Sequence, residues 1–137
     1  MRDDIDAEDA VDEELFPVFD EEAAELLPQL QTRLREWKEH PSDRDAPAAC
    51  MRTLHTLKGG ARLAGAMRLG EMAHRLETAI EHLATRGAVH AAEIEPLLLR
   101  CDRMAAVQDV LRAVAAGVMP QEPMRTVAQP QIGRAHV

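Results

Sequence analysis

Four stretches of this chain repeat apolar residues at steps of three and four, and each is closed by residues that do not continue a helix. From Asp12 the stripe runs Leu15, Phe16, Phe19, Ala23, Leu26, Leu27, Leu30, Leu34 and Trp37, a spacing that gathers side chains on one helical face. Asp12 is its candidate N-cap. Pro28 lies inside this helix, removes one backbone hydrogen bond and is expected to kink it. The polar run from His40 to Ala46 ends it. A second seam of Cys50, Leu54, Leu57, Ala61 and Ala64 predicts a helix from Pro47 to Ala66, with the proline in the first turn, where its missing N–H is harmless. The third helix is expected from Arg68 to Arg86, on Leu69, Met72, Ala73, Leu76, Ile80, Leu83 and Ala84, with Gly87 as its stop. The fourth spans Ala92 to Ala116, on Ile94, Leu97, Leu98, Cys101, Met104, Ala105, Leu111 and Val114, with Pro96 in its first turns and Gly117 ending it.

Amphipathic segments with short connections are most simply satisfied by an all-α, antiparallel up-down four-helix bundle. β-Branched residues are few and the aromatics are only Phe16, Phe19 and Trp37, which argues against a sheet. The breaks recur too often for a sustained coiled-coil heptad. Cys50 and Cys101 lie on apolar faces without CxxC spacing and read as small core residues of a reducing compartment.

Charge divides the chain further. Residues 1–25 hold twelve of the 24 acidic residues and one base, Arg2. Residues 1–11 therefore read as a solvated acidic arm, too polar to bury anything, with the bundle over 12–117. Residues 118–137 carry three prolines without periodicity, the pattern of a disordered linker. Within it, 132–137, IGRAHV, resembles the one-frame translation of a sequencing-library adapter and is expected to be non-native, the natural chain continuing. No apolar run approaches a membrane span and the N-terminus lacks the basic-then-apolar pattern of a signal peptide, so a cytoplasmic protein is expected.

From Pro47 to Gly70 there are four bases, Arg52, Lys58, Arg62 and Arg68, and no acid. Such a surface suits phosphoryl groups or an acidic partner, and it is too narrow for a nucleic-acid patch. His55 sits beside the apolar seam here, with Arg52, Lys58, Gly59 and Arg62 along the same stripe. The glycine pair Gly59-Gly60 weakens the helix by about 0.5–1 kcal/mol per residue. What it offers in return is room for another protein's backbone.

The run His55-Thr56-Leu57-Lys58-Gly59-Gly60-Ala61 resembles the His-x-x-Lys-Gly-(Gly or Ser)-Ala signature of histidine phosphotransfer domains, in the form carried by CheA-type histidine kinases. The resemblance covers about residues 13–112 and is strongest from His55 to Glu77. It implies a phosphorelay module, with His55 as phosphoacceptor through Nε2 and Glu77 as acceptor of the Nδ1 proton. It further implies that Lys58 meets phosphoryl oxygens, that His74 joins the polar network, and that Gly59, Gly60, Arg52 and Arg62 face a partner. The implied partners are a response-regulator receiver and a histidine kinase catalytic domain, within a larger chemotaxis or type IV pilus kinase.

The 137 residues hold no Walker-type glycine loop. The module is accordingly expected to be a relay intermediate rather than an enzyme, without a cofactor, and a monomer in isolation. Two rival readings remain at this level. One is a metal site from His55, His74 and Glu77, disfavoured by the nearby lysine charge and by the lack of paired ligands at i, i+4. The other is a non-catalytic helical interaction bundle.

Overall fold

The computed structural model describes Ile5 and residues 7–117; the expected linker 118–137, with its suspected foreign end, lies outside them. Four helices follow one another: α1 (Phe16–Glu39), α2 (Asp45–Leu63), α3 (Met67–Arg86) and α4 (Ala91–Ala115). The three- to five-residue connections between them force neighbouring helices to run antiparallel. α2 packs most extensively on α3, and α1 packs on both α2 and α4. α3 and α4 meet least, and neither diagonal pair comes close. This is a closed square of four helices, the all-α bundle that the apolar stripes require, with no strand among the described residues.

Each helix end has a local cause. Asp12 Oδ1 accepts the backbone N–H groups of Glu14 and Leu15, both at 2.9 Å, so the expected cap forms around a turn that precedes regular helix. Leu15 belongs to that turn and is 40% exposed, not part of the core stripe. α1 then runs unbroken through Pro28, with Leu27 and Leu30 buried on either side. α2 closes on Gly65, whose φ of 83° is open to glycine at little cost. The N–H of Ala66 reaches Ala61 O at 2.8 Å and that of Gly65 reaches Arg62 O at 3.2 Å, the paired bonds of a Schellman motif. At α4, Glu93 reaches back to accept the His90 N–H at 3.0 Å, which starts the helix ahead of Pro96.

The core is the union of the four seams. Leu30, Leu34, Trp37, Leu54, Leu57, Leu69, Leu76, Ile80, Ile94 and Leu111 are essentially removed from solvent. Cys50 and Cys101 are free and buried, and burial pushes both thiols up to about 12. They pack as small hydrophobes and do not ionise near neutral pH.

The acidic arm differs from its sequence expectation. Ile5 and Val11 pack against the core, the Ala10 N–H donates to Gly65 O at 2.8 Å, and the Asp12 N–H donates to Ala64 O at 2.9 Å. The arm is polar in composition, but two apolar residues and its backbone suffice to seat it on the α2–α3 turn.

Candidate functional site: a histidine on the α2–α3 face

α2 carries His55 outward while Leu54 and Leu57 on either side are fully buried. The register is rigid because the apolar seam admits only one rotation of the helix. The imidazole is 75% exposed, and its Nδ1 faces Glu77 Oε2 on α3 at 3.8 Å. Nε2, across the ring, is therefore turned away from the carboxylate. The other oxygen, Glu77 Oε1, accepts a hydrogen bond from Lys58 Nζ at 2.7 Å. Lys58 and Glu77 are only 15% and 21% exposed, so their pair works in a medium less screened than water.

Glu77 is thus a two-sided carboxylate, anchored by one lysine bond and leaving an oxygen beside the histidine. At 3.8 Å the histidine contact exceeds hydrogen-bond length. A carboxylate in this place selects the tautomer protonated at Nδ1 and leaves Nε2 as the free lone pair. Such an arrangement can do nucleophilic chemistry at Nε2 while holding a proton at Nδ1.

The remaining expected residues separate. Lys58 is spent largely on Glu77, although an ammonium keeps two further donors. His74 is exposed on α3, and its ring has no hydrogen bond or ion pair with His55 or Glu77. Gly59 is exposed, and a Cβ placed on it would meet nothing within 4 Å, so no internal contact explains the glycine. Gly60, by contrast, faces α1: its Cβ would come within 3.0 Å of the Phe19 ring and 2.9 Å of Glu22 Oε1. The small size of Gly60 is thus used inside the protein, where α1 crosses α2. Arg52 is exposed. Arg62 is exposed too, with its stem lying over Gly70, whose missing side chain makes the space. Among the described residues no group of three His, Cys, Asp or Glu is placed to hold a metal ion, so His55, His74 and Glu77 do not converge as ligands.

Sequence reasoning missed one polar cluster altogether. Gln108 on α4 is 1% exposed and donates to Asp20 Oδ1 on α1 at 2.8 Å. Arg112 Nε lies 3.0 Å from both Asp20 oxygens. Burial works against the Asp20 charge, yet the bonds from Arg112 and Gln108 outweigh it and hold the carboxyl below its ordinary value. The signal was present: Gln108 falls on the spacing of Cys101, Met104 and Leu111, and position rather than polarity marked it as inward.

Residues 14–117 match the Hpt domain family. The chain belongs to this family. An Hpt domain is a histidine phosphotransfer module, in keeping with an exposed histidine backed by a carboxylate on a four-helix bundle. Two relatives are a chemotaxis protein and a motility regulator. The chain is 32% identical over 95 residues to the chemotaxis protein CheA of Treponema pallidum (strain Nichols), covering 69% of this chain and 12% of that protein. It is 29% identical over 118 residues to the gliding motility regulatory protein of Myxococcus xanthus, covering 85% of this chain and 15% of that protein. The chain therefore spans less than a sixth of either relative. No solved structure matches it.

Proposed function

We propose that His55 is the phosphoacceptor of this Hpt domain and exchanges its phosphoryl group with the aspartate of a response-regulator receiver. The observation that carries this reading is the pairing of an exposed imidazole with Glu77 on its Nδ1 side. In the accepting direction, the Nε2 lone pair attacks phosphorus and the P–O bond to the receiver's aspartate breaks. The carboxylate leaves with the bonding electrons, and no proton need move. The ring then carries positive charge with its proton on Nδ1, which Glu77 stabilises. With a kinase catalytic domain as donor, the leaving group is a nucleoside diphosphate and the role of His55 is the same.

Lys58 holds Glu77 in place and offers its remaining donors to the phosphoryl oxygens. Gly59 leaves the approach to the ring open, and Arg52 and Arg62 add positive charge at its edges. The domain supplies the relay histidine and no nucleotide site, and acts inside a larger CheA-like kinase of chemotaxis or twitching motility. No described helix is long and apolar enough to cross a membrane, and the module is read as cytoplasmic.

The test is transfer from a phosphorylated receiver or CheA-type kinase to this protein and to His55→Gln. An acid-labile, base-stable label that disappears in the variant is the expected result. A label that persists in His55→Gln would remove His55 from the role.

A further inference from the structure

α3, the helix that carries Glu77, starts without a cap of its own: its N-cap residue is Ala66, which has no side-chain acceptor. The acceptor comes from the arm. Asp9 Oδ1 takes the N–H of Arg68 at 3.0 Å, across 59 residues of sequence. This amide is the second of α3, one of the two that an N-cap side chain ordinarily satisfies. Two backbone bonds flank it, Ala10 N–H to Gly65 O and Asp12 N–H to Ala64 O, so four successive residues are tied to 64–68 at three points.

The seat is shaped for the arm. A Cβ on Gly65 would run into the Ala10 carbonyl, so glycine serves both the positive φ and the close approach of the strap. Asp12 then caps the turn that opens α1. One short segment joins the starts of α1 and α3 to the end of α2. It lies upstream of the family-matched residues, which begin at 14.

We infer that residues 9–12 are a clip that belongs to the phosphotransfer unit, with Asp9 a positioning residue that fixes the first turn of α3 on the end of α2. Its consequence for transfer rests on the functional reading above: by steadying α3, the clip holds Glu77 beside His55. The cap needs an acceptor oxygen rather than a charge, and Asn supplies one while Ala does not. Burial agrees, holding the Asp9 carboxyl above its ordinary value against the bonds from the α3 backbone and the charge of Arg68.

The experiment is backbone amide hydrogen exchange, with transfer rates beside it, on the full chain as wild type, Asp9→Ala and Asp9→Asn. In Asp9→Ala the amides of Ala10, Asp12 and Arg68 are expected to exchange about fivefold faster or more, while Asp9→Asn stays within about twofold of wild type. Transfer to His55 is expected to slow in Asp9→Ala and to be restored in Asp9→Asn. Unchanged protection at Arg68 in Asp9→Ala, or equal loss in both variants, would overturn the clip; equal transfer rates in all three would overturn its positioning role. If no form accepts label, the functional reading falls, and the exchange pattern still decides the clip.

Discussion

Between α1 and α4 a carboxylate bridges two donors that are both bonded to it: Asp20 takes Gln108, buried in the core, and Arg112, half-exposed above it. Between α2 and α3 another carboxylate lies between two groups that differ. Glu77 takes Lys58, largely sheltered, and stands beside His55, which is mostly open to solvent. The same chemistry serves two ends. Where both partners are committed the carboxylate locks a helix pair. Where one partner is an exposed ring, the carboxylate stands beside it and leaves the ring open to solvent, which on the proposed reading orients a reactive group for another protein.

Breaking the α2–α3 carboxylate tests the comparison hardest. Glu77→Ala is expected to slow phosphoryl transfer about 10- to 100-fold, by analogy with the loss when a carboxylate that orients a metal-bound imidazole is removed, as read by single-turnover transfer from a phosphorylated receiver. Asp20→Ala should leave that rate within about twofold, because Asp20 touches no part of the site and distant sites behave independently. Equal slowing in the two variants would erase the distinction between the seams.

Asp20→Ala should instead act on stability. It leaves the buried Gln108 amide without its acceptor, costing about 1–3 kcal/mol in denaturant unfolding. Asp20 also gives the seam a pH signature. Its carboxyl is held below its ordinary 3.8 in the folded protein, so the stability it contributes is full above that value. It is lost as pH falls through the lowered one. Asp20→Asn should therefore flatten the acid limb of stability against pH below about 4, whereas an unchanged limb would remove Asp20 as its source.

These expectations rest on features that differed in how readable they were. The α2 seam was plain because Cys50, Leu54, Leu57, Ala61 and Ala64 are all apolar and all buried, with one rotation satisfying them. Leu83 and Ala84 share the apolar spacing of α3 and are only half-buried. Gln108 was missed because its polarity masked its place on an inward face. The clip was invisible for a different reason: two of its bonds are backbone to backbone and independent of side-chain identity, and its cap spans 59 residues. At the site, His55 and Glu77 were paired through family spacing; periodicity alone would have left Glu77 a surface carboxylate. The separation of the two glycines needed the packing of α1.

That separation gives the smallest predicted effects. Gly59→Ala should stabilise the free protein by about 0.5–1 kcal/mol, since a mid-helix glycine is relieved and nothing is struck. Gly60→Ala should gain less or lose stability, because its Cβ presses on the Phe19 ring. Thermal unfolding of the two variants side by side reads the difference, and an equal gain in both would show that α1 does not need the space at Gly60.

The central claim is chemical: a phosphoryl group resides on one nitrogen of one histidine. The most direct measurement is heteronuclear NMR of the 15N-histidine-labelled chain after reaction with phosphoramidate, which locates the new N–P bond by residue and ring position. The account predicts phosphorylation at Nε2 of His55, with the proton retained on Nδ1 toward Glu77. A phosphoryl group on Nδ1, or on His74 or another histidine with His55 unmodified, would contradict it.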